Sequence, residues 1–286
     1  MAISIEDHQL PYNTHNLYDV NFFDDKIHTL VTHTPSFVNT WIAETQQKLH
    51  QNNNPADHPL LVGLDIEWRP NRTRQIENPV ATLQLSTGKD CLIFQLLHCP
   101  TGIPQSLYDF LSNKNYTFVG VGIEGDVEKL VEGYDVSMGN AVDLRVLAAE
   151  KLGAEQWKNS GIKSLVKEIL GKQIEKPKRV TMSRWDNEWL TGDQVQYACL
   201  DAFLCYKIGE NLYAAWVMFH DGIWGFFWFF LKIMYLTWMI FKFEVFQCVV
   251  NVVSTGLFDF LCLFLFLLMC DSVVELDLSG RLPIFW

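Results

Sequence analysis

Acidic residues at short, defined spacings are the first feature of the chain that could support chemistry. Asp65 and Glu67 lie two apart in an apolar run, residues 60–68, which predicts a buried strand. Side chains two apart on a strand share one face, so these carboxylates should repel each other unless a cation lies between them. The alternative is a strand end that turns into a solvated loop.

Two further acids lie where helices are predicted. Asp126 follows a glycine-bearing strand at the start of a helix, where an acid usually serves as a cap or dipole partner. Tyr197 and Asp201 share one face of a later helix, whose start carries the capping-box pair Thr191 and Gln194. An acid on an otherwise apolar helix face is costly unless it is paired or binds metal. The alternative is a Tyr–Asp hydrogen bond that faces solvent.

Four acids and one tyrosine in this order suit hard divalent cations. Mg²⁺ takes oxygen ligands and keeps part of its water shell. Two such ions about 3.5–4 Å apart stabilise the attacking and leaving oxygens of an in-line phosphoryl displacement. A tyrosine one helical turn from a metal-binding acid can orient the attacking water. The sequence therefore predicts a site for two divalent ions, Mg²⁺ or Mn²⁺.

Strands and helices that alternate along the first 220 residues must position these groups. The predicted strands are a hairpin over 17–32 and the segments 60–68, 80–86, 91–97 and 117–123. The predicted helices are 35–50, 104–113, 125–133, 142–152, 161–170 and 191–213. A meander of strands followed by strand–helix alternation indicates a mixed sheet flanked by helices. Asp143 follows a strand-like stretch outside the acidic motifs and is interpreted as structural.

These motifs resemble the DEDD superfamily of 3′–5′ exonucleases, on the DnaQ or ribonuclease-H-like fold. The segments LVGLDIEWRP, ATLQLS, FVGVGIEGDVEKL and QYACLDAFLCYKIGENL are similar to the Werner-syndrome-type exonuclease domain in its stand-alone plant form. Tyr197 indicates the DEDDy branch, because the DEDDh branch has a histidine where this chain has Gln196. The resemblance covers roughly residues 15–215. It implies an α/β fold with a mixed five- to six-stranded sheet flanked by helices.

The resemblance also implies a role for each matched residue. Asp65 would bridge both metal ions, while Glu67 and Asp201 would help to hold the ion that activates water. Asp126 would serve the second ion, directly or through water. Tyr197 would hold the nucleophilic water by its phenol oxygen. The implied activity is the removal of nucleotides from the 3′ ends of nucleic acid, with DNA as the expected substrate.

A basic segment supplies candidates for binding the substrate. The chain has a net charge of −11, yet residues 158–184 hold eight basic residues and two acids. Phosphate contacts give affinity without sequence information. The candidates are Lys163, Lys176, Lys178 and Arg179. The alternative is a solvated charged surface. The resemblance adds Ile66 and Trp68 as candidates for wedging the terminal base, although Trp68 could equally belong to the core.

The composition excludes several classes of protein. Hydrophobic residues make up 49% and charged residues 19%, which excludes a disordered or collagen-like chain. None of the seven cysteines has CxxC spacing, so neither a zinc site nor a disulfide framework is indicated, and a reducing compartment is favoured. The N-terminal segment has acids and no apolar core, so no secretory signal is predicted. We expect a nuclear protein, with the cytoplasm as the alternative.

The composition changes sharply near residue 220. Residues 222–270 contain 15 aromatic residues and four charges. The stretches 222–241 and 245–270 are each long enough to span a membrane. Three interpretations stay open: translated intron or an alternative splice end, a membrane tail, and a packed helical extension. The predicted organisation is an N-terminal extension (1–14), an exonuclease domain (15–216) and an apolar C-terminal tail (217–286).

Other functions stay open beside the main interpretation. A ribonuclease D-like enzyme would carry the same acids and act on RNA, because recognition of the 2′-OH lies outside these motifs. A non-catalytic nucleic-acid-binding protein would lack one of the acids, and none is missing. A membrane-anchored protein depends on the tail alone. The expected partners are nucleic-acid 3′ ends and helicase or repair proteins, with a membrane only if the tail is genuine.

Overall fold

The computed structural model describes residues 3–52, 59–71, 73 and 77–214, which lie in the first of two units of the chain, residues 1–220. The strands in these residues are β1 (Ile3–Asp7), β2 (His15–Phe22), β3 (Asp25–Thr32), β4 (Leu60–Trp68), β5 (Val80–Ser86), β6 (Asp90–Phe94), β7 (Tyr116–Gly120) and β8 (Asn140–Asp143). The helices are α1 (Pro35–Asn52), α2 (Gln105–Ser112), α3 (Ile123–Tyr134), α4 (Leu144–Leu152), α5 (Ile162–Leu170), α6 (Lys178–Thr181) and α7 (192–214). Short 3-10 helices cover Leu96–His98 and Glu155–Asn159.

All eight described strands join one mixed sheet, in the order β1-β2-β3-β6-β5-β4-β7-β8. The β2–β3 hairpin and the β4–β5–β6 meander are antiparallel, whereas β3–β6, β4–β7 and β7–β8 pair in parallel. Strand β5 lies inside the sheet, and every residue from Val80 to Ser86 is buried. The mixed sheet flanked by helices that the sequence predicts is therefore confirmed.

Strand β4 separates two apolar cores. Leu64 and Ile66 belong to the core formed with α1, α2 and α3, whereas Leu61 belongs to the core formed with α4, α5 and α7. Side chains alternate along a strand, so Asp65 and Glu67 share the α7 side with Leu61. Because of this alternation, Asp65 and Glu67 lie on the face of the sheet that packs against α7.

Gly63 allows β4 and α7 to come into backbone contact. A Cβ at Gly63 would lie 2.0 Å from the carbonyl oxygen of Ala202 and 2.7 Å from the amide nitrogen of Tyr206. A side chain does not fit into a gap whose far wall is main chain. The strand that carries Asp65 and the helix that carries Asp201 are held together right beside those two acids.

The structure confirms the predicted capping box, but its sheet has more strands than the sequence predicts. The backbone amide of Thr191 donates to Oε1 of Gln194 at 3.0 Å, and the amide of Gln194 donates to Oγ1 of Thr191 at 3.3 Å, which is the predicted capping box. The described sheet has eight strands rather than five or six, because β1 and β8 form its two edges. These strands have the sequences ISIED and NAVD, and neither contains the apolar run that marks β6 and β7, which are of similar length.

The predicted apolar tail, residues 217–286, falls outside the described residues. Strand β1 lies within the segment that the sequence predicts as an N-terminal extension, and it pairs with β2. Among the helices that the structure does describe, none combines the length and apolar character needed to cross a membrane.

Candidate active site

Three acids from distant parts of the chain meet on the α7 side of the sheet. Asp65 and Glu67 come from β4 and Asp201 comes from α7, and one carboxylate oxygen of each lies within 4.8 Å of those of the other two. Asp201 is 4% exposed, whereas the other two acids are partly exposed. Three ionised carboxylates at this separation repel one another, so the arrangement requires protons or positive charge.

Tyr197 lies one helical turn before Asp201 on α7. Its ring packs against the fully buried Trp185, with 5.9 Å between the ring centroids. Burial, followed by the charges of Asp201 and Glu67, raises the pKa of Tyr197. The phenol therefore keeps its proton at neutral pH and can both donate and accept a hydrogen bond.

Asp126 lies in the first turn of α3 and is not one of the three acids that converge within 4.8 Å. Strands β4 and β7 are parallel, so their carboxyl ends reach the same edge of the sheet, and α3 begins there. The charge of Asp126 contributes to the raised pKa values of Asp65 and Glu67. Asp126 thus interacts electrostatically with two of the three acids, and we call the four residues the acidic cluster (Asp65, Glu67, Asp126 and Asp201).

Asp143 fixes the start of two helices. Its Oδ2 accepts a hydrogen bond from the amide of Gly122 at 3.1 Å, and Gly122 has the positive φ of 80° that precedes α3. Its Oδ1 accepts from the amide of Arg145 at 2.8 Å, which caps α4. Burial, and then the charge of Asp143, raises the pKa of Asp126 to about 7. Asp143 therefore influences the acidic cluster through the position and charge of Asp126.

Burial and mutual repulsion disfavour the ionised forms of the acids. Burial, followed by the charge of Asp201, raises the pKa of Glu67 to about 9. Burial, followed by the neighbouring carboxylates, raises the pKa of Asp65 well above its ordinary range. Burial also raises the pKa of Asp201, although the ammonium of Lys176 opposes this shift. A bound cation would reverse the preference for protonation.

One ammonium group already lies among the acids. The Nζ of Lys176 is 2.7 Å from Oδ2 of Asp201 and 4.8 Å from the centre of the Tyr197 ring. Within the described part of the chain, Asp65, Glu67 and Asp201 have no other ion pair with lysine or arginine. The sequence predicts that Lys176 contacts the substrate backbone, and the structure puts its ammonium on an acid of the cluster.

The acidic cluster fits divalent metal ions. All its side-chain donors are carboxylate oxygens, which hard cations such as Mg²⁺ and Mn²⁺ prefer. Three of the four carboxylates are close enough to share one ion. One ammonium offsets only one of the four negative charges of the ionised cluster. The donor set and its charge are therefore those of a metal-dependent site.

The other basic candidates, Lys163, Lys178 and Arg179, are exposed. Lys163 lines a cavity of about 360 Å³ that two acids of the cluster also line, and its ammonium pairs with Glu175 at 3.3 Å. Arg179 pairs with Asp193 at 2.6 Å, and Lys178 is exposed at the first residue of α6. Both ion pairs are solvent-exposed and therefore weak. These cations can exchange a carboxylate for a phosphate at little cost.

The structure does not support a contact between Ile66 and a terminal base. Ile66 is 2% exposed and lies in the core on the α1 side of β4, because strand alternation turns it away from Asp65. Trp68 packs partly on the same core, and the ammonium of Lys129 lies 4.9 Å from its ring centre. Of this pair, Trp68 alone retains accessible surface for a base.

Three features of the site lie beyond the sequence predictions. The pair of Lys176 with Asp201 has no local signal, because it depends on the path of the loop after α5. The link from Asp143 to Gly122 also depends on tertiary structure, although an acid before a helix is itself a cap signal. Gly63 has a readable signal, since a glycine inside a buried strand indicates close backbone approach.

Comparison with known proteins gives a consistent result. A family model described as "3′-5′ exonuclease" matches residues 32–214. A 3′-5′ exonuclease of Arabidopsis thaliana is 37% identical over 157 residues, which is 53% of each chain. The bifunctional 3′-5′ exonuclease/ATP-dependent helicase WRN of Mus musculus is 41% identical over 154 residues, which is 53% of this chain and 11% of that protein. The chain thus spans about half the length of the first relative and far less of the second.

Solved structures share the fold. Escherichia coli RNase D, an exoribonuclease involved in structured RNA processing, superposes with a TM-score of 0.51 at 20% identity, covering 65% of this chain and 44% of its own. The catalytic core of RRP6 from Trypanosoma brucei superposes with a TM-score of 0.52 at 15% identity, covering 67% and 49%. At these identities the likeness shows the fold alone, and it confirms the ribonuclease-H-like α/β class.

Proposed function

The chain belongs to the 3′–5′ exonuclease family, and from that premise we propose that it hydrolyses nucleotides from the 3′ ends of DNA with two divalent ions, Mg²⁺ or Mn²⁺. The observation that carries the proposal is the convergence of Asp65, Glu67 and Asp201 within 4.8 Å. Only the fold brings these acids together, because they come from β4 and α7. The tyrosine of the DEDDy pattern, Tyr197, lies on the same helix as the third acid.

Each residue of the site has a separate task in this proposal. Asp65, Glu67 and Asp201 hold the ions, and Asp126 serves the second ion from the start of α3. Bound divalent ions supply positive charge that favours ionisation of water and stabilises the leaving oxygen. Tyr197 orients the attacking water through its hydroxyl. Because burial raises the pKa of Tyr197, that hydroxyl acts as a hydrogen-bonding group and does not remove the proton.

The basic residues beside the cluster are proposed to hold the substrate backbone. Lys163 lines the cavity that reaches Asp65 and Asp201, so it lies where a phosphate next to the cluster would be bound. Lys178 and Arg179 are exposed on α6 and extend this positive surface. Contacts of this kind fix position without selecting a base. They suit an enzyme that removes any nucleotide.

The choice of DNA rests on the resemblance of the motifs to the Werner-type domain. RNA is the second candidate, because RNase D shares the fold. Both can be tested with the full-length chain on 5′-labelled DNA and RNA of the same sequence, single-stranded and 3′-recessed. We expect stepwise shortening from the 3′ end with Mg²⁺ or Mn²⁺, faster on DNA, and none in EDTA.

A matched variant makes this assay decisive. Asp201→Asn keeps the size of the side chain, removes one carboxylate, and should abolish the shortening. Shortening of neither nucleic acid by the wild type, or equal shortening by Asp201→Asn, would contradict the proposed activity. Faster shortening of RNA would overturn the substrate and leave the reaction unchanged.

We further propose residues 15–216 as the exonuclease domain, a helicase or repair protein as its partner, and the nucleus as its location. The family match over 32–214 supports the domain, and the relative named as an exonuclease and helicase supports the partner. Limited proteolysis should leave residues 15–216 uncut, and a cut within this range would count against the proposed domain. Co-precipitation with Asp201→Asn should recover a helicase or repair protein, and a fluorescent fusion should mark the nucleus. A cytoplasmic fluorescence signal would count against the nuclear location. Failure to recover a helicase or repair protein would count against the proposed partner.

A further inference from the structure

Lys176 differs from the other basic residues near the acidic cluster in what its ammonium touches. Its Nζ is 2.7 Å from Oδ2 of Asp201, and it also lies over the ring of Tyr197. The side chain of Lys176 is 27% exposed, compared with 51% for Lys163, which lines the same cavity. Lys176 is therefore inside the cluster, whereas Lys163 is at its rim.

The ammonium adds a positive partner to a carboxylate that also has a hydrogen bond with the phenol of Tyr197. Asp201 is 4% exposed, and a buried carboxylate without a charged or hydrogen-bonded partner is costly. The attraction of Lys176 to Asp65 and Glu67 adds to its attraction to Asp201. One lysine thus offsets part of the repulsion within three carboxylates that lie within 4.8 Å of one another.

The fold allows this ammonium to leave without rearranging the chain. Ile174 and Val180 are buried on either side of Lys176, so the backbone of this loop is anchored. The flexible stem of a lysine lets its head group move while the backbone stays in place. Lys176 also lines the cavity of about 360 Å³ beside Asp65 and Asp201, which can receive the released ammonium.

We propose that Lys176 is an internal cation that competes with one divalent metal ion for Asp201. Its ammonium neutralises Asp201 in the metal-free protein and leaves that carboxylate when the ion binds. Lys176 is then a positioning residue, which maintains Asp201 and Tyr197 before the ion arrives and lowers the affinity for the ion. The inference rests on the proposed function, because it requires a divalent ion at the acidic cluster.

The test compares Lys176→Met with the wild type in two measurements that do not depend on activity. Methionine keeps an unbranched stem and removes the charge. In EDTA, the thermal midpoint of Lys176→Met should fall by about 2–8 °C, because Asp201 loses its charged partner. In calorimetry, Mn²⁺ should bind to Lys176→Met on the order of tenfold more tightly, because no ammonium repels the ion.

Three further variants separate competition from other effects. Lys176→Arg keeps the charge and should bind Mn²⁺ like the wild type. Lys163→Met removes a positive charge from the rim of the same cavity and should change Mn²⁺ affinity by less than about twofold. Lys176→Gln is measured alongside, so the result does not depend on the folding of one variant. Both uncharged variants should bind Mn²⁺ more tightly.

The outcomes distinguish this inference from the proposed function. Wild-type protein that binds no Mn²⁺ would overturn the proposed metal site, and the inference with it. A wild type that binds Mn²⁺, with Lys176→Met and Lys176→Gln binding it equally or more weakly, would overturn the inference alone. Equal tightening in Lys163→Met would also overturn it, because the effect would then be that of net charge.

Discussion

Replacing Gly63 with alanine should separate the two halves of the acidic cluster. The new Cβ would lie 2.0 Å from the carbonyl oxygen of Ala202, whereas ordinary contact begins at 3.4 Å. Both walls of the gap are main chain and cannot rotate away, so β4 and α7 must move apart by about 1.4 Å. Asp65 moves with the strand and Asp201 with the helix. A misplacement of about 1 Å can cost about 10²-fold in rate, so we expect at least that loss in kcat/KM.

Measurements of stability and of metal binding distinguish this displacement from unfolding. Overpacking typically costs about 1–3 kcal/mol, which a domain with about 5–15 kcal/mol of stability can lose and still fold. We expect Gly63→Ala to melt at a lower temperature in circular dichroism and to bind Mn²⁺ at least about tenfold more weakly in calorimetry. The control is Gly133→Ala on α3, where the new Cβ meets no atom within 4 Å.

Full activity in a folded Gly63→Ala protein would refute the reasoning. It would mean that the contact between β4 and α7 does not set the separation of Asp65 and Asp201. An activity loss with unchanged Mn²⁺ affinity would also count against it, because the displaced groups are the proposed metal ligands. Equal losses in Gly133→Ala would show that any added methyl group perturbs the site.

Three other predictions concern the phenol, the basic surface and acid stability. Tyr197→Phe should lower kcat about 10²-fold with little change in Mn²⁺ affinity, because only water orientation is lost; loss of Mn²⁺ binding in calorimetry would contradict this role. Replacing both Lys178 and Arg179 with alanine should flatten the slope of log K against log salt by about 1.4 for single-stranded DNA, and an unchanged slope would place the phosphate path elsewhere. Burial raises the pKa of Asp19, but hydrogen bonds from Lys26, His28 and His8 outweigh it and lower the pKa to about 2 from 3.8. Asp19 thus contributes about 1–2 kcal/mol above pH 3.8, which is lost as the pH falls through about 2; urea unfolding from pH 5 to pH 2 should show this loss in the wild type and not in Asp19→Asn.

Local sequence signals account for the elements that carry the acids. The capping box at Thr191 and Gln194 fixes where α7 begins, and the four-residue spacing then puts Tyr197 and Asp201 on one face. The same kind of signal gives β4, because an apolar run with β-branched residues favours a buried strand. Each of these predictions needs only neighbouring residues, which explains why the structure confirms the elements.

Features that depend on the packing of distant elements could not be predicted from neighbouring residues. Strand alternation already turns Ile66 away from Asp65, but only the packing of α1 shows that the opposite face is a closed core. The edge strands β1 and β8 contain no apolar run, and pairing with β2 and β7 defines them. Lys176 reaches Asp201 only because of the loop that joins α5 to α6.

Gly63, Asp143 and Lys176 all support the acidic cluster, and they act on different quantities. Gly63 sets the distance between β4 and α7, Asp143 sets the start of the helix that carries Asp126, and Lys176 offsets charge at Asp201. A larger distance between the ligands should lower the affinity for metal, whereas removal of a neighbouring positive charge should raise it. Gly63→Ala should weaken Mn²⁺ binding by moving the ligands apart, whereas Lys176→Met should tighten it by removing a competing cation. Because both variants act on Asp201, a loss of affinity in Gly63→Ala together with a gain in Lys176→Met would show that geometry and charge each affect the cluster's affinity for metal.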